Sequence, residues 1–151
     1  MKLKKGTFFL LILWLSGCTG VGAVRSDLDI PIQQIKKAIS NIIPTGIRER
    51  SENKREYYSN YFLRSGGKEV RADKFPKRKY AHFVIVGDRR PYIVKVYVYV
   101  EDRSGKDRNG FYTYRYSHED KVYAKFLLRK LFETLDKRRD ELNFIDDFRV
   151  F

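Results

Sequence analysis

Tyr92-Ile93-Val94-Lys95-Val96-Tyr97-Val98-Tyr99-Val100-Glu101 carries the clearest structural signal in the chain. Val94, Val96, Val98 and Val100 alternate with Lys95, Tyr97, Tyr99 and Glu101, and a period of two belongs to a β-strand with one apolar face. Such a face must be covered. Upstream, Tyr80 to Val86 is a second strand, joined to the first through Gly87-Asp88-Arg89-Arg90-Pro91, and the two read as an antiparallel pair. Downstream, Ser104 to Gly110 is a polar turn, after which Phe111 to Tyr116 alternates again and sets Tyr112, Tyr114 and Tyr116 on one side.

Two helical patterns supply the cover. Leu28, Ile32, Ile35, Ile39 and Ile42 recur at spacings of three and four. Asp27 or Asp29 is placed to cap that helix and Pro31 suits its first turn, while Pro44 and Gly46 stop it. The second helix is expected to start at Ser117-His118-Glu119-Asp120 with Ser117 as cap. It continues through Tyr123, Ala124, Phe126, Leu127, Leu128, Leu131 and Leu135 and turns basic at Lys137-Arg138-Arg139.

Between the first helix and Tyr80, Ile47 to Ser51 and Arg55 to Leu63 flank a turn at Glu52-Asn53-Lys54. Ser65-Gly66-Gly67 then breaks the chain, and Lys68 to Lys79 reads as a charged loop punctuated by Pro76. Asn143 to Phe151 returns to extended character, as a last strand or arm. The expected fold is α+β, an antiparallel sheet of about four to five strands with two helices packed on one face. A transmembrane barrel is excluded by the two helices, by the few strand candidates and by Asp147 and Arg149, which break the alternation before Phe151.

The amino terminus has a different character. Lys2, Lys4 and Lys5 precede the apolar run Phe8 to Leu15, followed by the small residues Ser16 and Gly17, which is the order of a secretory signal. The run is less than half of the about 20 residues that a membrane-spanning helix needs. At its end, Leu15-Ser16-Gly17-Cys18 resembles the lipobox of bacterial lipoproteins, whose processing acylates the cysteine thiol and cleaves just before it. The resemblance implies a signal peptide at residues 1–17 and a lipidated amino terminus and tether at 18–26, and residues 27–151 are expected to form a single domain. It also implies stable attachment, because two or more acyl chains hold a protein where one is marginal. Thr19 is not the aspartate that resembles an inner-membrane retention signal, so the expected location is the outer membrane, facing the periplasm.

Removing residues 1–17 from the 151-residue chain leaves 134, enough for one domain with a core. Aromatic residues make up 15% of the chain, too many for a disordered tail. The net charge of +13 falls to +10 once Lys2, Lys4 and Lys5 are removed. A basic exported chain meets anionic lipid, glycolipid, cell-wall polymer or an acidic protein, and does not normally meet nucleic acid.

The acylation that the resemblance implies would use Cys18, the only cysteine, and would leave no disulfide or thiol chemistry. His82 and His118 have no second ligand at metal spacing, so neither a metal nor a cofactor is expected. No phosphate loop, serine elbow or Cys/His pair is present, and the chain is expected not to be an enzyme. Two binding candidates remain. One is the basic set Lys74, Lys77, Arg78, Lys79, Arg89 and Arg90, in which paired donors can grip a phosphate or carboxylate. The other is a tyrosine face made by Lys95, Tyr97 and Tyr99 and extended by Tyr112, Tyr114 and Tyr116, suited to a protein partner or to sugar rings. The anchor and the architecture together are similar to those of small assembly lipoproteins, such as the lipopolysaccharide-transport lipoprotein and secretin pilots. That analogy implies an accessory subunit with an envelope protein partner; direct binding of an anionic envelope polymer is the first alternative and an envelope enzyme with an unrecognised site the second.

Overall fold

The computed structural model describes residues 22–147, and residues 138–147 by their backbone alone. Cys18 and residues 148–151 lie outside the described residues. Among the described residues the fold is α+β, with eight strands in one antiparallel sheet and two helices. The chain opens with β1 (Ala23–Leu28) and α1 (Ile32–Ile42), followed by β2 (Ile47–Arg50) and β3 (Glu56–Ser59). It continues with β4 (Phe62–Ser65), β5 (Lys68–Arg71), β6 (Lys77–Val86), β7 (Tyr92–Lys106), β8 (Tyr112–Glu119) and α2 (Lys121–Asp147).

The alternating strand is the spine. β6 and β7 pair without a slip from Lys77 opposite Asp102 to Val86 opposite Ile93. Every other pairing branches from these two. Along the free edge of β7, β1 occupies the first part, with Ala23 opposite Val96, and β8 the second, with Glu119 opposite Tyr99. Along the free edge of β6, β3 pairs at Glu56 to Tyr58 and leads on to β2, while β4 pairs at Phe62 and leads on to β5. Where β3 gives way to β4, the buried Ser59 accepts the Ala81 N–H on its Oγ at 2.8 Å and donates to the Asn60 carbonyl at 2.7 Å. A side chain thus completes the ladder that the backbone leaves open.

Ala81, Phe83 and Ile85 of β6 and Val94, Val96 and Val98 of β7 form one face. It is buried together with Ile35, Ala38, Ile39 and Ile42 of α1 and Tyr123, Ala124, Leu127, Leu131 and Leu135 of α2. Each helix presents residues three and four apart, the spacing of one helical side. Burial of a side chain of this size contributes about 1.5–3 kcal/mol, so this layer supplies the main stabilisation.

Several expectations are corrected. The sheet is larger than the about four to five strands that alternation suggested. Residues 23–26, expected in the tether, are the start of β1, and Leu28, expected in the helix, is buried opposite Tyr92. α1 therefore begins later, behind Pro31 as N-cap and without an aspartate cap. Lys68 to Arg71 is a strand rather than loop, turned back on β4 by Gly66 and Gly67, whose φ of 57° and 82° suit a two-residue hairpin turn. β8 continues through Ser117, and Asp120 caps α2 instead, its Oδ1 accepting the Tyr123 N–H at 2.9 Å. Asn143 to Asp147, expected to be extended, belong to α2.

Candidate functional site

The face of the sheet turned away from α1 and α2 is paved with aromatic rings. The register explains how they meet. Tyr58 lies opposite His82, and His82 opposite Tyr97, so one residue from each of β3, β6 and β7 forms a row across the sheet. The rings of Tyr58 and His82 stack with centroids 4.2 Å apart and planes 9° from parallel; those of His82 and Tyr97 are 5.8 Å apart. One step along the strands, Tyr80 lies opposite Tyr99, with centroids 5.2 Å apart. Tyr61 extends this second row on one side at 5.9 Å and Tyr116 on the other at 6.1 Å. Tyr97 and Tyr99 join the two rows at 6.0 Å with nearly parallel planes.

Arginines frame the rings. Arg48 lies 4.2 Å over Tyr61 and 5.2 Å over Tyr80. Arg78 is held between the rings of Tyr61 and Tyr114, each centroid 3.4 Å from its guanidinium carbon, and pairs with Glu101 at 2.7 Å. Arg103 lies over Tyr112 at 3.7 Å. Delocalised guanidinium groups pack on ring faces in this way and still keep their hydrogen-bond donors.

The electrostatics keep the ring hydroxyls neutral and hydrogen-bond competent. Burial pushes the Tyr99 hydroxyl up to about 12, with Tyr80 and Tyr97 reinforcing it, and burial likewise raises Tyr58 and Tyr80. These hydroxyls stay protonated at neutral pH. Burial lowers the His82 imidazole, against the opposing hydrogen bond and charge of Glu56. Glu56 Oε2 takes both contacts of that corner, 3.0 Å from His82 Nε2 and 3.1 Å from the Tyr58 hydroxyl that donates to it.

The expected tyrosine face is thus brought together in graded form. Tyr97, Tyr99 and Tyr116 are in contact, and Tyr114 joins them through Arg78 and Tyr61. Tyr112 belongs to the β7–β8 tip with Arg103, and Lys95 takes the next position of the face, opposite Val84. Tyr58, Tyr61, Tyr80, His82 and Arg48 were missed. The signal for Tyr80 and His82 was available, since they alternate with the apolar Ala81, Phe83 and Ile85 in the strand paired to Tyr97.

The basic set is not brought together. Lys77, Arg78 and Lys79 open β6, whereas Arg89 and Arg90 follow its far end. Most of these charges have partners: Lys77 with Asp102 at 3.7 Å, Lys79 with Asp120 at 2.7 Å and Arg90 with Asp29 at 3.5 Å. Among the described residues no group of three or more His, Cys, Asp or Glu side chains gathers to hold a metal ion, and no helix is long and apolar enough to cross a membrane. Comparison of the chain with protein-family models, curated proteins and solved structures finds no match.

Proposed function

We propose that this protein is a non-enzymatic, lipid-anchored binding or accessory subunit of the outer membrane, held through Cys18 and facing the periplasm. The surface it offers is the aromatic face turned away from α1 and α2, and the partner is a protein of the envelope. The observation that carries this reading is the contiguous array of Tyr58, Tyr80, Tyr97, Tyr99 and Tyr116 bounded by Arg48 and Arg78. Tyrosine and arginine are the residue types that dominate binding energy at protein interfaces, and side chains already packed on one another lose little freedom on association. Separation of the basic set at the two ends of β6 favours a protein partner over an anionic polymer gripped by Arg89 and Arg90.

The test is photo-crosslinking in intact cells from the lipidated protein, with the reactive side chain at Tyr97 or Tyr116 and, as control, at Asn53 on the β2–β3 turn. A discrete adduct with one envelope protein from the first two positions, absent from Asn53, is the expected result. Adducts with glycolipid or polymer alone would sink the protein-partner reading.

A further inference from the structure

The route by which the chain enters the sheet gives the domain an orientation. β8 leaves the edge of β7 at Glu119 opposite Tyr99, and β1 joins the same edge at Ala23 opposite Val96. Gly22 stands in the gap between them. It is pressed against the sheet so closely that an added Cβ would lie 2.5 Å from the Tyr97 ring and 2.6 Å from the Val96 carbonyl oxygen. The start of α2 lies beside the same gap, since the Asp120 N–H donates to the Val98 carbonyl at 2.8 Å.

Cys18 precedes Gly22 by four residues. At most about 3.6 Å is gained per residue of extended chain, so the acylated residue lies within about 14 Å of Gly22. With an acyl anchor at Cys18, the Gly22 side of the domain is the side held nearest the bilayer. A hollow of about 430 Å³ there is lined by Gly22, Val24, Lys121, Lys125 and Leu128. Lys125 also lines a second cleft of about 620 Å³, with Arg64, Arg129, Tyr123 and Phe126.

The two hollows form one basic and apolar margin. Three carboxylates beside it are engaged: Asp120 with Lys79 at 2.7 Å, Glu133 with Arg129 at 3.8 Å, and Glu69 as acceptor of the Tyr123 hydroxyl. Lys121 and Lys125 are exposed between them, and Val122 projects to solvent at 81% exposure. Exposed cations around a protruding aliphatic side chain match a bilayer surface, with phosphates for the cations and acyl boundary for the valine.

We infer that the margin formed by Lys121, Val122, Lys125, Arg129 and Arg64 docks on anionic phospholipid headgroups. The inference rests on the lipid anchor at Cys18. Docking there sets the β1 edge of the sheet toward the membrane and the β2 edge away from it, and leaves the aromatic face open to a partner.

Acylation uses the chain's own cysteine, so a single introduced cysteine is a unique labelling site. Val122→Cys and Asn53→Cys variants of the lipidated protein are labelled with an environment-sensitive fluorophore and reconstituted in vesicles of phosphatidylcholine and phosphatidylglycerol carrying headgroup nitroxide lipids. The probe at Val122 is expected to be strongly quenched and the probe at Asn53 not. Quenching at Val122 is expected to fall in pure phosphatidylcholine and at about 1 M salt, where the screening length shrinks to about 3 Å. Charge reversal at Lys121 and Lys125 is expected to reduce it without releasing the protein from the vesicles. Equal quenching at the two positions in an acylated protein overturns the orientation alone, as does quenching at Val122 that ignores lipid charge and salt. An intact mass showing no acyl groups on Cys18 overturns the anchor, and the orientation with it.

Discussion

Alternate residues of β6 and β7 build two layers of opposite kind. On one face Ala81, Phe83, Ile85, Val94, Val96 and Val98 are at most 2% exposed, sealed by two helices. On the other Tyr80, His82, Tyr97 and Tyr99 are half-buried, and among the described residues they pack against neighbouring rings, with Arg48 over Tyr80 and Gly22 beside Tyr97. The first face gains its energy from removing apolar surface from water, which is complete in the isolated chain. The second has removed only part of a large apolar area, and the remainder is still available to association. A sheet covered by helices on one side need not concentrate its tyrosines on the other; solvated threonine or lysine would serve the strand as well.

The largest effect that tests this contrast is expected in the covered layer. Phe83→Ala deletes a ring with no exposure and leaves a cavity in the covered core, costing about 3–5 kcal/mol. Tyr97→Ala on the same pair of strands removes a half-buried ring with ring partners on two sides, each such contact contributing about 0.5–1.5 kcal/mol. Urea denaturation with an unchanged m-value measures both. A Tyr97→Ala loss as large as that of Phe83→Ala would make the open face a second core and remove the case for a binding surface.

The next effect concerns the order of the open face. Arg78 is 12% exposed and Glu101 18%, and the guanidinium also donates to the Asp73 carbonyl at 3.0 Å. Arg78→Met leaves a half-shielded carboxylate without its partner and two rings without their spacer, and is expected to cost about 2–3 kcal/mol. Arg78→Lys should fall between, because an ammonium keeps the charge and loses the planar stacking. A double-mutant cycle with Glu101→Gln is expected to show coupling above about 1 kcal/mol. Coupling near zero would mean that Arg78 and its rings are independent solvated side chains, and the preformed surface would be lost.

The same contrast governs what the sequence made legible. The valine alternation announced β7, and the covered face followed from it, because burial imposes a strict period. Lys68-Glu69-Val70-Arg71 hid a strand: among the described residues β5 pairs only with β4, and an edge strand exposed to solvent tolerates charge at every position. β1 was hidden for a related reason. Ala23 and Leu28 are buried, but Val24 to Asp27 between them are exposed, so its ends alone carry a signal, and Leu28 matched the helical spacing of Ile32 and Ile35 equally well. The cap of α2 was displaced from Ser117 to Asp120 because pairing with β7 held the chain extended through Glu119. On the open face Tyr97, Tyr99 and Tyr116 were legible from alternation alone. Tyr58, Tyr61 and Arg48 come from a part of the chain whose place beside β6 depends on tertiary pairing, which no local pattern encodes.

The smallest effect is expected at His82, and its sign distinguishes the two faces further. Burial, the larger influence, lowers the imidazole below its usual value of 6.5, and Glu56 only partly offsets it. Between the lowered folded value and 6.5 the unfolded chain therefore holds more protons than the folded one, so stability rises with pH across that window. The contribution is complete above 6.5 and is lost as the pH falls through the folded value. No buried residue of the covered face titrates in this range. His82→Gln should flatten the slope of stability against pH near neutrality, read from urea midpoints on either side of 6.5. An unchanged slope in His82→Gln would mean that the ring row admits the imidazolium freely. The stack of Tyr58, His82 and Tyr97 would then be open to water throughout, contrary to the partial burial that sets this face apart as a surface ready for a partner.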